Sequence, residues 1–311
     1  MIYRRLKNKK SNEYIYNSSD GKIINDKYTL DRIKKLCIPP NWTSVEISSK
    51  STDYLQATGK DDKLRTQYIY HPMWIEISKI EKYTRLNDFI NKLPLLNKRV
   101  NNILNNEIKL DNKEYIIALM FKILSKTHAR IGNDCYADEN NTYGLTTLLK
   151  KHLELKNSTI KFSYIGKKGV EQNLMFKDLF ISNILKKLLD IQGDRLFQTT
   201  NKEIIKSTDM NEFLKDTMGD DFTCKDFRTY GSNILFLKIL TKKESPTSIT
   251  ASKKILNQVY DEVAQELGHT RAISKKSYVM PIISDKFLEN PSNFIGKNHV
   301  NVLKNILKEY I

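Results

Sequence analysis

The apolar positions of this chain change period about a quarter of the way along it. In "EYIYNSSDGKIIND" (13–26) they alternate and then stop at Asp-Gly, which predicts two short strands around a tight turn. "LDRIKKLCIPPNW" (30–42) has helical spacing and predicts a short helix stopped by Pro39 and Pro40. "SVEIS" (44–48) and "YLQATGKDDKLRTQYIYH" (54–71) alternate again. The second predicts a hairpin with a polar turn at Gly59–Lys63. Beyond that the period is helical, in "FINKLPLLNKRVNNILNN" (89–106), "KEYIIALMFKILSKTHARIG" (113–132) and "SNILKKLLDIQG" (182–193). "SNILFLKILTKK" (232–243), "SKKILNQVYDEVAQELG" (252–268) and "NHVNVLKNILKEY" (298–310) show the same pattern. One stretch departs from it. In "STIKFSYIGKKGVEQNLMF" (158–176) Ile160, Phe162 and Tyr164 alternate before a Gly-Lys-Lys-Gly turn, which predicts a β-hairpin.

The expected fold class is therefore α+β. A small β-rich N-terminal domain precedes a larger, mainly helical domain that carries one β-hairpin. The boundary is expected near 72–78, after His71-Pro72, giving domains 1–76 and 77–311. With 311 residues and 40% apolar content the chain can bury real cores in both. No repeat of solenoid period is visible. No run of about 18 apolar residues predicts a membrane span, and "MIYRRLKNKK" lacks the apolar segment of a secretory signal. Cys37, Cys135 and Cys224 are far apart and odd in number, so neither a disulfide framework nor a zinc site is expected. An intracellular, reducing location fits this cysteine usage.

Charge narrows the partner. The net charge of +16 favours polyanions, nucleic acid ahead of a membrane surface. Of the 52 basic residues 42 are Lys and 10 are Arg, and there are 28 Asn. Part of the basicity is thus what an AT-rich coding sequence produces. On the 76/77 cut the first part is net +5 and the rest +11, so both parts can face a polyanion.

Four segments hold residues suited to phosphodiester chemistry. "KTHARIGN" places Arg130 at a helix C-terminus, and "SYIGKKGV" places Lys167 on a hairpin tip. "CKDFRTYGSN" places Arg228 just before a helix, and "ELGHTRAISKKSY" contains His269 and Tyr278. A Tyr hydroxyl with a pKa of about 10 is a weak nucleophile. Attack on a phosphodiester needs the phosphate oxygens held by rigid cationic donors, and the leaving 5′ oxygen needs a proton. Taken singly, each residue has an ordinary structural explanation: a half-buried Tyr, a His at a helix end, solvated lysines. Together they form a set. His269 and Tyr278 are nine apart and would face opposite ways on one helix, so the chain must break between them. Gly268 can end the preceding helix, with His269 in the turn and Ser274 capping the segment after it. Pro281 disfavours a regular helix beyond Tyr278.

With these segments the chain resembles the type IB DNA topoisomerases, in the small form found in poxviruses, other large DNA viruses and some bacteria. The likeness runs along nearly the whole chain. It includes "IPPNWTSVEIS", "QATGKDDKLRTQYIYHP", "ARIGN", "GKKG", "KDFRTYG" and "LGHTRAISKKSY". The resemblance implies a topoisomerase IB/tyrosine recombinase-like fold that forms a clamp around duplex DNA. It implies that Tyr278 attacks the scissile phosphate, leaving a 3′-phosphotyrosyl bond and a free 5′-hydroxyl. Arg130 and Arg228 would hold the non-bridging oxygens, and His269 would donate a third hydrogen bond. Lys167 would be the general acid, with Lys168 the ambiguous neighbour. Gln67, Tyr68 and Tyr70 match the family's DNA-contacting positions. Strand alternation puts the two tyrosines on one face and Gln67 on the other. The alternative is that these tyrosines merely cover the N-terminal core.

A phosphotyrosyl ester conserves the energy of the broken bond, so the reaction is expected to need neither ATP nor metal, with Mg²⁺ at most a stimulant. No GxxxxGK[ST] motif or acidic cluster suggests otherwise. The protein is expected to be a monomer with no membrane partner. Its expected place is a viral replication site in host cytoplasm, a virion, or a bacterial cytoplasm. Two alternatives stay open on sequence grounds. A tyrosine site-specific recombinase shares the chemistry, but Lys225 stands where the recombinase pattern His-x-x-Arg-His has its first His. A non-catalytic DNA-binding protein would use the basic faces alone.

Overall fold

A computed structural model describes residues 1–8, 13–105, 107–219 and 222–309. Asn106 and Tyr310, which end two of the predicted helical runs, lie outside the described residues. The chain is α+β, and its contacts fall into two units, Met1–Lys82 and Tyr83–Ile311.

The first unit is built on a five-stranded antiparallel sheet of order β2-β1-β3-β4-β5. Its strands are β1 (Ile2–Asn8), β2 (Glu13–Ser18), β3 (Thr43–Ile47), β4 (Leu55–Lys60) and β5 (Thr66–Tyr70). Helix α1 (Lys27–Lys35) starts at Asp26, whose carboxylate accepts from Thr29 N–H at 2.8 Å, and buries Ile33. Ile33 packs with Ile2, Val45, Ile47 and Ala57 in the core. Two turn expectations shift. The segment after Asp20-Gly21 makes one bridge, Asn17 to Ile23, and no second strand, because the α1 cap comes three residues on. The partner of β2 is β1. Gly59 and Lys60 are paired with Gln67 and Thr66, so the β4–β5 turn spans 61–65 and not 59–63. The Asp61 carboxylate organises it, accepting from the N–H groups of Lys63 and Arg65 at 3.0 Å each.

Helix α2 (Pro72–Leu104) begins at Pro72, a position that needs no N–H, and carries the division between the units. The sequence places the boundary near 72–78, after His71-Pro72, with the cut at 76/77, and shows helical spacing only from 89. The earlier turns hide from a periodicity search: Met73, Ile75, Ile77 and Ile80 are all exposed.

The second unit is mainly helical. It contains α3 (Lys113–Thr127), α4 (Asp134–Asn140), α5 (Leu179–Leu189), α6 (Ser207–Met218) and α7 (Cys224–Leu240). Helix α8 (Ile249–Glu266) is followed by a single turn, α9 (Arg271–Ile273), which runs into a π turn at Ser274–Tyr278. Helices α10 (Pro281–Glu289) and α11 (His299–Lys308) complete it. The predicted hairpin gains a third strand. β6 (Leu153–Lys156), β7 (Thr159–Ile165) and β8 (Glu171–Lys177) form an antiparallel sheet in that order. Helix α3 is buried nearly all round, from Tyr115 to Phe121, as befits the central helix of a core. A second core joins the end of α7 to α8, α10 and α11 through Phe236, Leu240, Val259, Ile283 and Leu303.

Candidate active site

The second unit gathers the phosphodiester candidates around one cleft of about 700 Å³. Arg130, Lys167, Lys168, Lys225, Arg228 and Tyr278 line it. Each reaches it by a different local device.

Arg130 comes just after the end of α3. His128 caps that helix in the left-handed region at φ +50, which turns the chain. The next loop is then clamped: Leu145 N–H donates to Arg130 C=O at 2.8 Å and Thr146 N–H to Ile131 C=O at 2.7 Å. Gly144 makes this possible, since a Cβ there would lie 2.5 Å from Gly132 N and 2.7 Å from Arg130 O. Lys167 and Lys168 occupy the exposed β7–β8 tip, with Lys168 in the left-handed region at φ +66. Both line the cleft, so the two remain distinguished by motif position alone.

Arg228 corrects an expectation: it lies inside α7, not before it. The helix starts earlier because Asp226 accepts the Thr223 N–H at 2.8 Å. Arg85 clasps the same carboxylate at 2.9 and 2.7 Å. Arg228 is 4% exposed. Its Nη1 donates to His128 C=O at 3.0 Å and its Nη2 to Leu267 C=O, while Nε has no partner among the described residues. Burial, then the charge of Arg130, lowers its pKa to about 10, so it remains a cation at neutral pH.

The break between His269 and Tyr278 is real. Helix α8 ends at Glu266 and Gly268 turns the chain at φ +59. The capping residue differs from the expectation: Thr270, not Ser274, accepts from Ile273 N–H to start α9. Ser274 instead holds the histidine, with its Oγ 2.7 Å from His269 Nε2. His269 Nδ1 lies 3.1 Å from Arg228 Nη2. A guanidinium can only donate, so this shorter contact makes Nδ1 the acceptor and puts the ring proton on Nε2, while Leu267 C=O lies farther from Nδ1 at 3.4 Å. Burial, then Arg228, pushes the His269 pKa down to about 4, which keeps the ring neutral. The π turn brings Tyr278 back, so that its ring centroid is 5.1 Å from His269 and 5.3 Å from Arg228 Cζ. Pro281 is not an obstacle, because it is the first residue of α10.

Three supporting residues lie inside the segments singled out by sequence, where nothing assigns them a role. Asn233, fully buried on α7, donates to Tyr278 C=O at 3.0 Å and accepts from Met280 N–H at 2.9 Å. An Asn on an otherwise apolar helix face is its only signal. His128 and Gly231 are the others: a Cβ on Gly231 would lie 2.2 Å from His128 Cγ, so α3 and α7 meet through a glycine.

Gln67, Tyr68 and Tyr70 belong to the first unit, on its edge strand β5. The tyrosines are 52% and 38% exposed and stack at 6.1 Å, while Ile69 between them packs against the core. Their rings therefore face outward. Gln67 donates to Asp61 Oδ2 at 3.0 Å. Asp61 is held down at about 2 by the Arg65 guanidinium.

Comparison with known proteins gives a consistent result. Residues 73–290 match the family model of the catalytic core of eukaryotic DNA topoisomerase I, and 13–61 match the N-terminal domain of bacterial DNA topoisomerase IB. DNA topoisomerase 1B of Acanthamoeba polyphaga mimivirus is 34% identical, with 99% of this chain and 95% of that one covered. DNA topoisomerase 1B of vaccinia virus (strain Copenhagen) is 26% identical over 86% of this chain and 89% of its own. A solved XerH site-specific recombinase bound to difH aligns with 64% of this chain and 51% of its own at TM-score 0.40 and 17% identity, too little to argue from. The core match spans well over half of the residues and contains the whole cleft, and the chain belongs to the type IB DNA topoisomerases.

Proposed function

We propose that this enzyme relaxes supercoiled duplex DNA by transient cleavage of one strand, with Tyr278 as the nucleophile. The observation that carries this is the placing of Tyr278 against both Arg228 and His269, in a cleft shared with Arg130 and Lys167. The Tyr278 oxygen, its hydroxyl proton passing to solvent, attacks the scissile phosphorus. The P–O bond to the 5′ oxygen breaks, and a 3′-phosphotyrosyl ester forms. Arg130 and Arg228 bind the non-bridging oxygens, where charge grows in the transition state. The His269 Nε2–H leaves Ser274 and donates to the same oxygens. Lys167 protonates the departing 5′ oxygen. Resealing is the reverse: the 5′-hydroxyl attacks the ester and Tyr278 leaves. Between the two steps the downstream duplex rotates.

No external energy is needed, because the ester keeps the phosphodiester's energy. The enzyme thus works without ATP and without an obligatory metal, as a monomer, inside a cell or at a viral replication site. Both units supply phosphate contacts, with Tyr68, Tyr70 and Gln67 against the duplex. No helix among the described residues is long and apolar enough to cross a membrane.

The test is a suicide duplex whose short downstream fragment, released with a free 5′-hydroxyl, diffuses away. A covalent adduct mapping to Tyr278 with a 3′ linkage is expected, in EDTA and without nucleotide. Tyr278→Phe should form no adduct and still bind DNA. An adduct on another residue, a 5′ linkage, or relaxation only after Mg²⁺ or ATP is added would overturn the assignment.

A further inference from the structure

Gln172 stands where the Lys167 hairpin meets the turn that carries His269. It lies on β8 opposite Tyr164 and is 5% exposed. Its side chain is pressed against two glycines, and each glycine immediately precedes one of the proposed catalytic residues. Gly166 precedes Lys167, and a Cβ on it would lie 2.9 Å from Gln172 Cγ. Gly268 precedes His269, and a Cβ on it would lie 2.1 Å from Gln172 Nε2. Neither site has room for a side chain, and Gly268 also adopts φ +59. The amide nitrogen donates to Glu171 C=O at 3.2 Å within its own strand. It approaches Gly268 C=O at 3.5 Å, the same oxygen that Arg130 Nη1 approaches at 3.5 Å. These last contacts are long, so packing does most of the locking and the shared oxygen orients it.

Lys167 is exposed at the tip, on a flexible stem. Among the described residues no hydrogen bond or ion pair at the tip sets its direction. The seating of the hairpin base sets it, and Gln172 is the wedge there. We propose that Gln172 is a positioning residue, keying the Lys167 hairpin to the Gly268–His269 turn so that the lysine ammonium meets the leaving oxygen. The proposal rests on Lys167 being the general acid.

The test compares single-turnover cleavage of two suicide duplexes, one with oxygen and one with sulfur at the scissile 5′ bridging position. A thiol, with a pKa of about 8.5, leaves as its anion without a proton donor. Gln172→Ala is expected to slow the oxygen substrate about 10- to 100-fold, as misplacement of a catalytic group does, and to leave the sulfur substrate near the unsubstituted rate. Gln172→Met keeps the volume and replaces the alanine variant should that one not fold. The same oxygen-specific loss is expected from it, to a smaller degree. Equal slowing on both substrates, or none on either, overturns the proposal. Lys167→Ala is measured alongside. If sulfur does not rescue it, Lys167 is not the acid and both assignments fall. If sulfur rescues Lys167→Ala but not the Gln172 variants, the positioning role alone falls.

Discussion

Arg228 shows how much one side chain is asked to do in this cleft. It is buried, its charge is compensated by carbonyl oxygens rather than by a carboxylate, and it fixes the tautomer of His269. An ammonium, which lacks the planar fork, cannot hold His128 C=O, Leu267 C=O and His269 together in this geometry. Arg228→Lys is therefore expected to lower the single-turnover cleavage rate about 10²-fold or more, with DNA affinity changed far less, as read by a filter-binding or anisotropy titration. Preserved cleavage would count against Arg228 as a transition-state donor. His128 sets a pH dependence. Its ring is buried beside Arg228, its Nδ1 has no partner among the described residues, and burial lowers its pKa to about 4 from 6.5. The unfolded chain then binds the proton more readily than the folded one. Stability is fully present above pH 6.5 and is lost as pH falls towards 4. On the order of 1–2 kcal/mol should be gone by pH 5. Denaturant midpoints at pH 7 and pH 5 measure it, and His128→Asn, which tolerates the left-handed backbone, should shrink the difference to the part that His269, lowered to about 4 in the same way, still contributes.

At the scale of elements, α7 is the part on which the site depends. Its first turn is capped by Asp226, its second carries Arg228, and its third carries both Gly231 and Asn233. Asp226→Ala removes the acceptor for Thr223 N–H and both Arg85 bonds, and should cost about 1–2 kcal/mol in chemical denaturation. Gly231→Ala drives a methyl into the His128 ring. A loss of about 1–3 kcal/mol is expected, with relaxation activity falling further than stability because His128 C=O is an Arg228 acceptor. An unchanged melting temperature in Gly231→Ala would show that α3 and α7 can part without cost. The start of α7 is hidden in the sequence for a physical reason. "CKDFRTYG" has little apolar periodicity, and its helix is begun by a side-chain cap. In the same way the first turns of α2 lack a buried face.

For the whole molecule the basic charge of both parts makes binding to duplex DNA strongly salt dependent. If about six or more phosphates are neutralised, affinity should fall about 10³-fold between 50 and 200 mM salt. A nearly flat dependence, measured by anisotropy, would exclude the phosphate backbone as the main contact. Local features were decided by local sequence. The change of period at the domain scale, the hairpin 158–176, the break at Gly268 and the outward pair Tyr68–Tyr70 follow from alternation, glycine and turn chemistry, which act over a few residues. The expectation that Tyr278, Arg130, Arg228, His269 and Lys167 act as one set came through resemblance to a family, since no periodicity joins segments spread from 130 to 278. Tertiary structure alone decided which of them touch. It placed Ser274 on His269 rather than at a cap, put Arg228 inside a helix, and set Gln172 between two glycines about a hundred residues apart. Such contacts depend on how α3, α7, α8 and the β7–β8 hairpin close on one another, and that closure is set by packing across the core, which leaves no periodic trace along the chain.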